Sequence, residues 1–175
     1  MRPVPIAAGF LLAVLVLIAG CSAPEPTLYQ KHGLSFDYPP SWNLTQDDAD
    51  TGGNVTLTFD LGGGSQLYLS TTPNLSAQFP STGRLDVLDR WFAESRAHLL
   101  NVGAVVIEEK QVMVGSNPGH RLLYAIRYND VAYRNVLVVT AQGDTGYAFH
   151  LWTPPAAHEA MLPGFGTVLG SFQAG

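Results

Sequence analysis

The feature that most restricts the fold of this chain is a series of alternating segments joined by connections too short for anything but reversal. Val105 to Val114, Leu122 to Tyr128, Ala132 to Thr140 and Tyr147 to Trp152 are rich in β-branched and aromatic residues. Asn117-Pro118-Gly119, Asn129-Asp130 and Gln142-Gly143-Asp144 separate them. A parallel neighbour needs a long crossover, so these strands pair antiparallel. The same logic holds earlier, where Val55, Leu57, Phe59 and Leu61 alternate with Thr56, Thr58 and Asp60 before Gly62-Gly63-Gly64-Ser65 turns the chain into Leu67-Tyr68-Leu69. Tyr29 to Tyr38 reads as a strand pair interrupted at Gly33, Pro39-Pro40 ends it, and Trp42 starts the next extended piece.

Residues 84 to 100 change period. Leu85, Leu88, Phe92, Ser95 and Leu99 fall on one helical face with Trp91 beside them, and Asp86, Arg90, Glu94 and His98 follow at intervals of four. The spacing predicts an amphipathic helix laid on a sheet, capped by Ser81 or Thr82. Near the end, Thr153-Pro154-Pro155 reads as a capped helix start with proline in the first position. Pro163, Gly164 and Gly166 predict a break before a last turn or two carrying Phe165, Val168, Leu169 and Phe172. Strands, helix, strands and a terminal helix make an α+β domain with a mainly antiparallel sheet and no internal repeat.

The opening segment points to export. Arg2 is followed by an apolar run to Gly20 with no charged side chain, the pattern of a signal peptide. Ile18-Ala19-Gly20-Cys21 resembles the bacterial lipobox, in which small residues enter a peptidase and the thiol accepts diacylglycerol. Cys21 is the only cysteine of the 175 residues, so it has no intramolecular disulfide partner. The expectation is a signal peptide over 1–20, a lipid on Cys21, a stiff polar tether over 21–27, and a domain held outside the cytoplasm at the cell membrane or outer membrane. An uncleaved transmembrane anchor is the rival reading.

Two motifs then bring a family into view. Gly33-Leu34-Ser35-Phe36-Asp37-Tyr38-Pro39-Pro40-Ser41-Trp42 resembles the G-x-x-F-x-Y-P-x-x-W opening of PsbP-like and DcrB-like domains, and Leu169-Gly170-Ser171-Phe172 is similar to the Ser-Phe that closes their last helix. The resemblance implies a single domain over 28–173, built as an antiparallel sheet packed between helices, an α-β-α sandwich. It also implies an accessory or binding role, as in extrinsic photosystem proteins and bacterial envelope lipoproteins, with no catalysis inherent in the fold.

Searching the residues for chemistry returns little. The lone thiol is assigned to the lipid. Gly115-Ser116 lies in a turn-forming stretch and not in a G-x-S-x-G elbow, and Gly62-Gly63-Gly64 lacks the lysine and helix of a phosphate loop. His32, His98, His120, His150 and His158 are dispersed, and His150 is expected to be a satisfied or exposed sheet histidine. No catalytic residue, metal or cofactor is therefore assigned. The net charge is −5, and the basic residues after Arg2 are scattered singly from Lys31 to Arg134, so no stripe exists to neutralise nucleic-acid phosphates. Arg121 and Arg127 share a face of one strand and Arg134 lies on the next; if that face is outward, the three guanidinium groups could meet Asp130 or the carboxylates of a partner, and they form the candidate partner surface. The expected function is that of a membrane-tethered envelope lipoprotein with a non-catalytic binding domain for an envelope or membrane protein. The alternative is a hydrolase or metal-dependent enzyme whose site assembles only in the fold.

Overall fold

The alternating segments are strands, and every pairing between them is antiparallel. The computed structural model describes residues 24–81 and 86–175, so the leader and Cys21 lie outside the described residues, as do Thr82 and Leu85. In chain order the elements are β1 (Thr27–Lys31), β2 (Leu34–Tyr38), β3 (Asn43–Ala49), β4 (Val55–Gly62), β5 (Ser65–Thr72), α1 (Leu75–Gln78), α2 (Val87–Asn101), β6 (Val105–Val114), β7 (Asn117–Tyr128), β8 (Val131–Gln142), β9 (Thr145–Trp152), α3 (His158–Ser171) and β10 (Gln173–Ala174). β1 takes in Thr27, the last residue assigned to the tether, and β10 carries the fold one residue beyond 173.

A seven-stranded sheet has the order β3-β4-β5-β9-β8-β7-β6, and a three-stranded sheet has the order β1-β2-β10. The large sheet is covered on both faces. One core joins Leu57, Phe59, Val136, Val138 and Phe149 to Phe165 and Val168 of α3 and to Phe36 of the small sheet. The other joins Leu122, Tyr124, Leu137 and Val139 to Trp91 of α2 and Leu75 of α1. Burial on two sides explains why Asn135 to Thr140 in β8 are all buried and why that stretch reads as a continuous Val-Leu-Val-Val run. The antiparallel sheet between helices is the architecture that the sequence predicts.

The two motifs at the ends of the domain meet in space. The Phe36 and Phe172 rings lie 6.4 Å apart, and the Asp37 amide donates to Ser171 Oγ at 2.8 Å. Phe36, Tyr38 and Trp42 converge on Phe59 at centroid distances of 6.1, 5.0 and 6.5 Å. The small sheet is also pinned to β3 by Asp47, which accepts from Tyr29 Oη at 3.0 Å and Lys31 Nζ at 2.8 Å and contacts His32 Nε2 at 2.8 Å. These partners, Lys31 foremost, hold the Asp47 carboxyl below its ordinary range.

Three expectations fail. The cap of α2 is Asp86, whose carboxylate accepts from the Asp89 amide at 2.8 Å, and not the expected Ser81; the other candidate, Thr82, lies outside the described residues. The β6–β7 turn is Gly115-Ser116, and Asn117-Pro118-Gly119 belong to β7. Pro118 faces Met113 of β6, while pairing with β8 begins only at Gly119, so its missing N–H removes nothing from the ladder on that side. Finally, α3 is continuous through Pro163 and begins at His158, without proline in the first position or a side-chain cap. The Thr153 hydroxyl donates to the Arg134 carbonyl on β8 instead. A side chain at Gly164 would sit 2.6 Å from Trp42 Cζ2 and 2.7 Å from Pro39 Cγ, so this glycine lets the helix lie on the opening motif and does not end it.

Candidate functional site

Alternation along β7 and β8 puts Arg121, Arg127 and Arg134 on the sheet face that α3 covers. Their surroundings differ. Arg121 is set back, its side chain 13% exposed and its guanidinium bonded to Glu108 of β6. Arg127 Nη2 donates to the Asp130 carbonyl at 3.1 Å, the backbone oxygen and not the carboxylate. Arg134 Nη1 lies 3.7 Å from Glu159 of α3, and its Nε is enclosed with no hydrogen-bond partner among the described residues. Arg127 and Arg134 flank a groove of about 780 Å³ whose apolar wall includes Val102, Val105, Ile107 and Pro155. Val105 is 66% exposed, and Val102 and Ile107 are also largely exposed. The β7–β8 hairpin reaches out beside this groove on an Asn129-Asp130 turn in which both residues have positive φ.

The opposite face of that hairpin is aromatic. Tyr128, Tyr133, Trp152 and Tyr68 surround His150 in a cleft of about 470 Å³. It shares His150 and Trp152 with a second cavity of about 550 Å³ that runs under the C-terminal half of α2 along Phe79, Leu99, Ile126 and Leu137. His150 Nδ1 accepts from the Trp152 indole N–H at 3.1 Å, and its Nε2 contacts Tyr124 Oη. An indole N–H can only donate, so Nδ1 carries no proton and the neutral ring donates from Nε2 to the tyrosine oxygen. Burial pushes the His150 imidazole down to about 4 and the Tyr124 phenol up to about 12. Both nitrogens of His150 are thus engaged, and the ring is neutral at ordinary pH.

Of the two expectations for His150, a satisfied or an exposed sheet histidine, this geometry agrees with the first. The signal for its neighbours was thin: His150 and Trp152 are two apart on one strand, but Tyr124 is 26 residues away. The second cavity also gathers Glu94, Ser95 and His98 from α2. Glu94 bonds Arg90 at 3.0 Å, and among the described residues no hydrogen bond joins Ser95 or His98 to a side chain. His120 bonds Asp89 and stacks on Phe92, while His158 Nδ1 donates to the Arg134 carbonyl at 3.0 Å. Among the described residues no three His, Cys, Asp or Glu side chains lie where they could hold a metal ion.

Solved structures place this architecture among known folds. The solution structure of cyanobacterial PsbP (CyanoP) from Synechocystis matches with a TM-score of 0.60 at 18% identity, covering 91% of this chain and 99% of that one. The domain has the PsbP-like fold. LpqN of Mycobacterium tuberculosis, a protein involved in cell envelope biogenesis, matches with a TM-score of 0.57 at 10% identity over 85% of this chain and 88% of its own. A Bacteroides thetaiotaomicron protein matches with a TM-score of 0.53 at 15% identity, over 87% of this chain and 49% of its own. No family model and no curated protein matches in sequence. On the PsbP-like frame of this chain, the arginine groove and the aromatic cleft lie on the two faces of one projecting hairpin.

Proposed function

We propose that this chain is an exported lipoprotein, held by a lipid on Cys21 at the cell membrane or outer membrane, whose PsbP-like domain is a non-catalytic accessory that docks an envelope or membrane protein. The observation that carries the reading is the groove between Arg127 and Arg134, where exposed Val102, Val105 and Ile107 adjoin two guanidinium groups in a chain of net charge −5. An exposed apolar patch rimmed by charge is the composition of a protein-binding surface, and its fitting partner presents apolar side chains beside carboxylates. Arg121 stands behind this surface and orders β6 against β7 through Glu108. The lipobox-like Ile18-Ala19-Gly20-Cys21 supports the tether, and the likeness to LpqN, with its role in envelope biogenesis, supports the setting. A His150 whose two nitrogens are both engaged supports binding over catalysis.

The test is affinity purification after crosslinking in native host membranes, comparing the wild type with the double variant Ile107→Asp/Arg127→Glu. Both side chains are at the surface, so the variant is expected to unfold at the wild-type temperature. A specific envelope or membrane protein recovered with the wild type and depleted about tenfold with the variant supports the reading. Recovery of the same proteins with both removes this groove as the docking surface.

A further inference from the structure

The aromatic cleft on the other face of the hairpin has a composition of its own. Its rings come from three places in the chain: Tyr68 from β5, Tyr128 and Tyr133 from the β7–β8 hairpin, and Trp152 from β9. Register explains their meeting, since Gln66 lies opposite Trp152 and Tyr68 opposite His150 across the β5–β9 pair. Tyr133 packs edge-on against Trp152 at 5.5 Å. Tyr128 is 62% exposed at the hairpin tip. Large aromatic surfaces left open to water on one sheet face, when both cores hold their own aromatic side chains buried, point to a ligand surface.

The same residues limit what can lie there. The polar groups around the rings are the Gln66 amide, the tyrosine hydroxyls and His150, whose two nitrogens are already engaged, and among the described residues no Asp, Glu, Lys or Arg lines this cleft. An ion placed in it would lose water without gaining a counter-charge. The Tyr68 hydroxyl donates to Gln66 Oε1, and a wholly apolar molecule would cover the Gln66 NH₂ group and the Tyr128 and Tyr133 hydroxyls without giving them a partner. The Tyr133 ring stands edge-on to Trp152, with 69° between their planes, so the walls offer ring faces in different directions to successive units of a chain-like ligand. A saturated chair-form ring that offers axial C–H groups to aromatic faces and hydroxyls around its rim to the surrounding polar groups fits this lining.

From this geometry we infer that the cleft of Gln66, Tyr68, Tyr128, Tyr133 and Trp152 is a binding site for a neutral saccharide, occupied by a short oligosaccharide stacked on Trp152 and Tyr133. His150 supports the platform from beneath by holding the Trp152 indole N–H. The site shares Tyr133 with the Arg127–Arg134 groove, but of the two surfaces Tyr128 and Trp152 line only the cleft and Ile107 and Arg127 only the groove, so the variants that test one reading leave the other surface intact.

The experiment uses the full chain purified from its host membranes in a detergent without a sugar head group. Chitotetraose, maltotetraose, cellotetraose and phosphocholine are titrated in turn, with tryptophan emission and calorimetry as readouts. Trp42 and Trp91 are each 7% exposed, so a ligand-induced shift reports on Trp152. At least one tetrasaccharide is expected to shift the emission and to bind about tenfold more weakly to Trp152→Ala by calorimetry. Tyr128→Ala, a largely exposed position, is expected to weaken binding about threefold at unchanged unfolding temperature, which separates a lost contact from a damaged fold. Absence of binding by all three tetrasaccharides, binding by phosphocholine alone, or equal binding by both variants would overturn the assignment.

Discussion

His150 shows how one side chain can be tied to both packing and acid response. Its folded pKa of about 4 lies below the ordinary 6.5, so the unfolded chain takes up a proton that the folded chain refuses. Its contribution to stability is complete above about pH 6.5 and falls away as the pH drops toward 4. Burial lowers the His158 imidazole as well, with Arg134 adding to the effect, so that residue acts in the same sense. Asp47 has the opposite kind of shift: its contribution is present above its ordinary 3.8 and is lost only at still lower pH. Urea midpoints measured from pH 7 down to pH 4 are therefore expected to fall before the Asp47 carboxyl begins to titrate. An unchanged midpoint at pH 4.5 would remove His150 from this account. In Trp152→Phe the smaller ring uncovers His150 and lets water reach Nδ1, so the burial that lowers its pKa is relieved and the pKa, followed by NMR, is expected to rise. The sequence contained His150 and Trp152 at the spacing of one strand face, but it could not show Tyr124 beneath them. That contact exists because β8 lies between β7 and β9, and a histidine on one strand thereby reaches a tyrosine two strands away.

Among the elements, α3 separates helix propensity from packing. Alanine is a better helix former than glycine by about 1 kcal/mol, and on propensity alone Gly164→Ala and Gly166→Ala should stabilise the protein equally. Gly166 is exposed, with nothing within 4 Å of an added Cβ, and Gly166→Ala is expected to raise stability by about that amount. Gly164→Ala is expected to lower it by about 1–3 kcal/mol through overpacking against Trp42 and Pro39. Chemical denaturation of the pair decides the matter, and stabilisation by both would mean that α3 does not rest on the opening motif. In α2 the cap is the point of interest, and Asp86→Ala is expected to cost about 1 kcal/mol in the same assay. Both misreadings from the sequence have a common cause. Pro and Gly in α3, and the several cap-type residues before α2, are locally ambiguous, and only tertiary contacts select among the options. The continuity of β7 through Pro118 is of the same kind, since it depends on where β8 stops pairing.

For the molecule as a whole, the readable part was the part governed by short connections and period: the β6–β9 meander, the β4–β5 hairpin, the amphipathic α2 and the antiparallel sheet between helices. The insertion of β9 beside β5 was not readable, because their connection spans two helices and three strands. The arginine groove was half readable. Alternation put Arg121 and Arg127 on one face, but the β7–β8 register was needed to add Arg134, and Glu108, which takes Arg121, sits beside a β6 bulge between Val106 and Glu108 that no local pattern announces. The lipid on Cys21 is tested by intact mass: the membrane-extracted protein is expected to weigh as residues 21–175 plus diacylglycerol, and Cys21→Ser is expected to lose that mass. An unprocessed wild-type mass would sink the tether.

The start of β1 at Thr27 has a consequence for binding strength. With a lipid on Cys21, five residues separate the anchor from the first hydrogen-bonded strand, and fully extended they reach roughly 15 Å at about 3.1 Å per residue. The domain is then confined to a thin layer beside the bilayer, where a membrane neighbour meets it at a local concentration on the order of millimolar. A docking contact too weak to survive between free proteins stays occupied on so short a leash. Lengthening the segment between Cys21 and Thr27 should dilute that neighbour without altering a single atom of the groove.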